Sequence, residues 1–290
     1  MGYQDRRRIF KWVSPIAIIA CLLISTVAIS ADPGAKAVPG EFLGSDLLTE
    51  DAAAAAKFYG EIFGWDVEKA DDSGYAIHHK GRLIASISQI DSADPEVDES
   101  FWLVGIAVAD LDKAVQAASR MGAEVREKIT EVEGYGRFAT IGDPQGAPLM
   151  LIEPGERRIG GTEGPGAWVW AELWTDDVDA AAKFYGQVIG YQQSEVERRD
   201  QQYRVFKTGD EYRAGMVKIP AELENVEPGW APYVGVEDLK KTIARINELG
   251  GRLIFATEDN AVRGDVALIA DPGGAVLFVY EIGSATEVTE

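Results

Sequence analysis

The sequence predicts an α+β fold in which four βαβββ modules follow one another and pair into two tandem domains. Three observations predict it. Residues 49–65 (TEDAAAAAKFYGEIFGW) recur as 175–191 (TDDVDAAAKFYGQVIGY), 126 positions further on. Residues 108–113 (VADLDK) and 143–147 (DPQGA) recur as 236–241 (VEDLKK) and 271–275 (DPGGA), 128 positions on. Two offsets so close mark colinear duplicates that differ by a two-residue insertion. Each half also contains the same order of elements twice.

In the first half an apolar strand over residues 41–48 runs into Asp51, a residue type suited to cap the free amides of a helix start. The helix that follows presents Ala55, Phe58, Tyr59 and Ile62 at helical spacing and stops near a glycine. Runs at 75–78 and 83–90 read as strands. The order then repeats, with a strand over 102–108, a helix over 110–121 ending at Gly122, and strands to 152. The second half has strands at 168–174 and 233–236, helix starts at Asp177 and Asp238, a helix end at Gly250 and strands to 280. Residues 155–166 lack periodicity, are rich in Gly and Pro, and read as a linker. The domains are therefore 41–154 and 167–283, with tails at 32–40 and 284–290.

Residues 1–31 read as an address. The uncharged run 13–30 follows Arg6, Arg7, Arg8 and Lys11 and ends in small residues, the pattern of a secretory signal. An uncleaved membrane anchor is the alternative, since about 20 apolar residues span a bilayer. Residues 5–11 (DRRRIFK) resemble a twin-arginine signal as well as an ordinary basic leader, and Cys21 reads as an apolar position rather than a lipidation site. The expected location is periplasmic or otherwise extracytoplasmic, with membrane contact only through residues 13–30 if they are retained. With Cys21 the single cysteine, neither a disulfide framework nor a cysteine zinc cluster can form. The formal charge is -20, and beyond residue 30 there remain 24 basic and 47 acidic side chains. Such a body repels phosphate backbones, so nucleic acid is excluded as a partner.

Paired modules of this order, with an aspartate opening each helix, Phe-Tyr near the end of the first helix of each half, and Asp-Pro-x-Gly before the last strand, resemble the vicinal-oxygen-chelate superfamily. That family includes glyoxalase I, extradiol dioxygenases and bleomycin-resistance proteins. The resemblance runs from Phe42 to Ile282 and implies two glyoxalase-like domains, each a pair of modules forming a cupped mixed sheet. It also implies a divalent metal in the cup, held by His, Gln or Glu. The ligand positions fall on Gly44, Leu103 and Met150 in the first half and on Trp170, Ala231 and Phe278 in the second. None of these side chains is a ligand for such an ion. No metal or other cofactor is expected. The two histidines, His78 and His79, read as surface or strand-edge residues, and Glu153 and Glu281 as solvated strand ends facing away from the cups.

Strand parity places Asp46 and, at the equivalent position, Glu172 on the cup faces. It adds Trp168, Trp170, Trp174, Tyr233, Phe278 and Tyr280 to the second cup. These residues predict a pocket for a small aromatic or cationic molecule, with Glu172 as counter-charge. Three alternatives accompany this reading. One is a lyase or isomerase using Glu172 or Asp46 as general base. Another is a metal-dependent glyoxalase or dioxygenase with relocated ligands, and the third an interaction module whose cups are closed by packing. The address predicts a mature N-terminus at Ala31 or Asp32, checked by the intact mass of the secreted protein; a retained residue 1 or a lipid-sized mass increment refutes it.

Overall fold

The computed structural model describes residues 37–71, 74–90, 100–198, 201–221, 223, 226–257 and 265–283. The expected address (1–31), most of the tail 32–40 and the tail 284–290 lie outside the described residues. Among the described residues no helix is long and apolar enough to cross a membrane.

The first half runs β1 (Phe42–Thr49), α1 (Ala52–Phe63), β2 (Asp66–Lys69), β3 (Gly74–His79) and β4 (Arg82–Gln89). It continues with β5 (Phe101–Ala107), α2 (Leu111–Arg120), β6 (Glu124–Val125), β7 (Thr130–Val132), β8 (Gly136–Gly142) and β9 (Pro148–Pro154). The second half runs β10 (Trp168–Thr175), α3 (Val178–Val188), β11 (Gln192–Arg198), β12 (Gln201–Thr208) and β13 (Glu211–Lys218). It ends with β14 (Gly229–Val236), α4 (Leu239–Glu248), β15 (Arg252–Thr257), β16 (Val266–Ala270) and β17 (Val276–Glu281).

These are the four modules the repeat predicts. Each half forms one mixed sheet, ordered β2-β3-β4-β1-β5-β9-β8-β6 and β11-β12-β13-β10-β14-β17-β16-β15, with β7 added beside β8. Two modules meet in each sheet through an antiparallel central pair, β1 with β5 and β10 with β14. The strand expected at 233–236 begins at Gly229, because Gly229 and Pro232 break the apolar pattern of a strand that is nevertheless buried throughout.

Local chemistry fixes the helices. Asp51, Asp110, Asp177 and Asp238 each accept a backbone amide two or three residues on, satisfying donors that the first turn leaves free. Glu153 and Glu281 face away from the cups as parity requires, but they are not simply solvated. Each carboxylate takes the first amide of the helix in its own module, Leu111 at 2.9 Å and Leu239 at 2.8 Å, where the helix dipole favours an anion.

The helices lie between the two sheets, in cores drawn from both halves: α2 with α3 in one, α1 with α4 in the other. Two sets of reciprocal hydrogen bonds cross this contact. Tyr59 donates to Asp271 Oδ2 at 3.0 Å and accepts from Trp102 Nε1. Its duplicate Tyr185 donates to Asp143 Oδ2 at 2.9 Å and accepts from Trp230 Nε1. The Phe-Tyr pair of each half is thus tied to the Asp-Pro-x-Gly turn of the other. The other oxygen of each aspartate accepts amides inside its turn, Ala275 for Asp271, and Gln145 and Ala147 for Asp143. In the second set Trp65 donates to the Gly166 carbonyl and its duplicate Tyr191 to the Gly40 carbonyl.

The segment 155–166 is strapped to the first domain rather than spanning free space. Arg158 pairs with Glu41 at 2.6 Å, Gly160 N–H donates to Leu83, and Arg82 and Lys80 donate to the carbonyls of Gly161 and Glu163. Gly160, at φ +67°, comes so close to β1 that a Cβ there would lie 1.9 Å from the Leu43 carbonyl oxygen.

Removing one tyrosine hydroxyl strands a buried carboxylate and an indole N–H together. Tyr59→Phe and Tyr185→Phe are each expected to cost about 2–3 kcal/mol in urea unfolding, equally because the networks are duplicates. Burial lifts the Asp271 carboxyl from an ordinary 3.8 to about 6, against the lowering effect of the Tyr59 hydroxyl and the turn amides. The folded chain then holds a proton that the unfolded chain has lost between those values. This group's contribution to stability therefore falls as pH rises through that window. Asp271→Asn is expected to flatten the unfolding midpoint against pH over that window, and an unchanged profile refutes the assignment.

Candidate functional site

Alternation along β5 and β14 separates two faces. Trp102, Val104 and Ile106 join the helix cores, while Leu103 and Ala107 line the first cup. Trp230 and Val234 likewise face the helices, while Ala231 and Tyr233 line the second cup. Of the residues expected in the second cup, the structure brings together Trp170, Glu172, Trp174, Tyr233, Phe278 and Tyr280. Trp168 is elsewhere. A register shift between Trp168 and Trp170 breaks the alternation, as a β-bulge does, and turns the indole to the opposite side. There it packs on Trp65 and Trp102 and donates to the Ile84 carbonyl, joining the two domains.

Glu172 is wholly buried and is the organising group of this cup. Its Oε1 accepts from Trp174 Nε1 at 3.0 Å and from Tyr233 hydroxyl at 3.1 Å, and Oε2 accepts from Tyr203 hydroxyl at 2.6 Å. Trp170 Nε1 donates in turn to the Tyr203 oxygen. Charge-assisted bonds of this kind are the strong ones, and here each holds an aromatic ring in one orientation. Phe278 stacks on Tyr233 at 4.3 Å between centroids, with Trp174 near-parallel to it at 6.4 Å and Phe255 edge-on at 6.0 Å. Trp170, Phe255 and Tyr280 are half-buried and form the outer part of the wall. Glu172 thus tethers Trp174, Tyr203 and Tyr233 within the wall.

The sequence reading missed Tyr203. Its signal is Gly215, opposite Glu172 in the sheet, where a Cβ would lie 1.7 Å from the Tyr203 oxygen. Only glycine leaves room for that hydroxyl.

The first cup is aliphatic, lined by Leu43, Leu48, Leu83, Leu103, Met150 and Ile152 with Tyr135 and Phe138. Asp46 faces it, and its Oδ1 accepts the Ser86 amide at 2.8 Å. Burial pushes this carboxyl up to about 6, partly offset by the hydrogen bonds from Ser86. Asp46 borders a small cavity of about 20 Å³, with Ile84, Phe138, Met150 and Ile159 among its walls. Ile159 comes from the strap, which thus covers this cup. The histidines are not at the surface: His78 and His79 are both buried, and His79 lies against the strap, its Nδ1 bonding Thr162 Oγ1 at 2.8 Å. Burial and the neighbouring Lys80 lower the His79 pKa below its usual value.

Comparison with known proteins places this architecture. Residues 42–151 match the model of the glyoxalase/bleomycin resistance protein/dioxygenase superfamily, and residues 169–279 match a glyoxalase-like domain. The chain belongs to this superfamily, as a tandem two-domain member. It is 34% identical over 244 residues to CFP32 of Mycobacterium bovis, provisionally named a glyoxylase, a match that covers 81% of this chain and 92% of that one. It is 31% identical over 260 residues to the anthracycline biosynthesis protein DnrV of Streptomyces peucetius, covering 84% and 94%. Among solved structures, the Mn(II)-bound glyoxalase of Novosphingobium aromaticivorans superposes with a TM-score of 0.61 at 14% identity, covering 83% of this chain and 82% of that one. At that identity the likeness is one of fold.

The residues present do not fit the metal that the fold family implies. Its six positions carry Gly44, Leu103, Met150, Trp170, Ala231 and Phe278, and each borders a cup or its cavity. Among the described residues no three His, Cys, Asp or Glu side chains converge to hold an ion. Gly44 leaves no space for a ligand side chain, since a Cβ would lie 2.1 Å from the Ile84 carbonyl oxygen. Gly44→His is accordingly expected to destabilise the fold without creating metal affinity, read by unfolding midpoint and by elemental analysis after dialysis against manganese or nickel. Tight, stoichiometric metal in either the parent or the variant refutes this account of the cups.

Proposed function

We propose that this chain is an exported small-molecule-binding member of the superfamily that acts without a metal and receives a flat aromatic molecule on the second cup's ring wall. The observation that carries the reading is the convergence of Trp174, Tyr203 and Tyr233 on Glu172. Rings held in one orientation lose little rotamer freedom when a ligand stacks on them, so more of the contact energy reaches the affinity. Trp170, Phe255 and Tyr280, each only half-buried, are the rings on which the ligand is placed. Because the bonds to Glu172 are made within the wall, the ligand it favours is planar and aromatic rather than selected by a salt bridge. DnrV, whose name places it in anthracycline biosynthesis, supports the same ligand class, since anthracyclines are planar fused-ring molecules.

Titration with soluble anthraquinone sulfonates and hydroxylated anthraquinones, followed by tryptophan quenching and by calorimetry, tests the reading. Saturable binding is expected, weakened roughly tenfold or more by Trp170→Ala, the loss of one stacked ring being of order 1–2 kcal/mol. No saturable signal with any planar ring compound would sink it and favour a cup closed by its own packing.

A further inference from the structure

We propose that the first cup is a separate binding site, which holds the ammonium head of a small organic amine against Asp46 beneath the cover formed by Ile159. Asp46 and Glu172 occupy equivalent places in the duplicated sheets, opposite Ser86 and Gly215 respectively. Their surroundings have diverged in one respect that matters for charge. Strand register puts Leu48 where the second domain has Trp174, Gly105 where it has Tyr233, and Gly74 where it has Tyr203. Trp174, Tyr203 and Tyr233, which donate to Glu172, therefore have no counterpart around Asp46. Among the described residues Asp46 accepts from Ser86, through its amide and its hydroxyl.

Asp46 is nevertheless 8% exposed and borders a cavity whose other walls are mostly apolar, Ser45 being the other polar residue among them. A buried carboxylate short of donors is costly, and the cost falls when a cation with N–H groups occupies the adjoining space. The cavity of about 20 Å³ accepts a group the size of one water, which is also the size of an ammonium head. The wall least bound to the sheet is Ile159, whose segment is held by hydrogen bonds from Gly160, Arg82 and Lys80 and by the Arg158–Glu41 pair rather than by a strand ladder, and a carbon tail is placed there. The formal charge of -20 raises the local concentration of cations around the chain. This site does not depend on the second-cup reading, because none of its walls belongs to that cup.

Calorimetric titration of the mature chain near neutral pH with methylammonium, ethylammonium and butylammonium chlorides tests it, with tetramethylammonium as a cation lacking N–H donors. Saturable binding of methylammonium and none of tetramethylammonium is expected. Asp46→Asn, the same shape without charge, is expected to lose at least roughly tenfold in affinity. Ile159→Ala, which thins the cover and keeps the carboxylate, is expected to shift preference toward butylammonium, so the idea stays testable if the Asn variant does not fold. Trp170→Ala is expected to leave amine affinity unchanged; a parallel loss there would move the amine to the second cup and overturn the assignment. Absence of saturation in both the parent and Ile159→Ala makes water the sole occupant and overturns it, as does equal affinity in Asp46→Asn.

Discussion

The tyrosine–aspartate bonds between the halves govern where everything else can go. Each module buries a helix on one face of its sheet, and Tyr59 and Tyr185 project from those helices onto the turn aspartates of the opposite domain. A hydroxyl that both donates to a buried carboxylate and accepts a buried indole N–H has no substitute partner among the apolar side chains around it. The helices of both halves are therefore committed to one shared interior. That commitment leaves the other face of each sheet, the cup, outside the interdomain core.

The same duplication that makes the scaffold symmetric lets its two cups differ. Neither supplies donors at the positions where the superfamily places a metal, and each keeps one acid near the centre. In the second cup the acid is used to fix rings: Trp174, Tyr203 and Tyr233 converge on Glu172, and Gly215 yields space for the nearest hydroxyl. In the first cup glycines and a leucine stand where those donors would be, aliphatic side chains fill the bowl, and a segment of linker lies across it. One buried carboxylate is bonded to aromatic side chains, and its duplicate lies beside a cavity.

Much of the fold was legible because its signals are local or repeated. The helix starts at Asp51, Asp110, Asp177 and Asp238 follow from capping chemistry that acts over three residues. The offsets 126 and 128 delimit the domains. Alternation assigned Glu172, Trp170, Trp174, Tyr233, Phe278 and Tyr280 to one face. It misplaced Trp168, because a bulge changes parity and leaves no mark in an apolar strand. Tyr203 and the strap over His79 were not legible for a different reason: they meet their partners through contacts 31 and 83 residues apart in the chain.

The sequence alone determined the four-module order, the duplicated domains, the capped helices and the absence of metal-binding side chains at the six inherited positions. These depend on spacing and residue type, which are written along the chain. Only the tertiary structure decided what the two cup acids are bonded to, since that depends on which donors other strands bring within about 3 Å, the range of a hydrogen bond. It likewise decided that the Phe-Tyr and Asp-Pro-x-Gly motifs, each explicable as helix core and turn, are the two ends of one bond between domains.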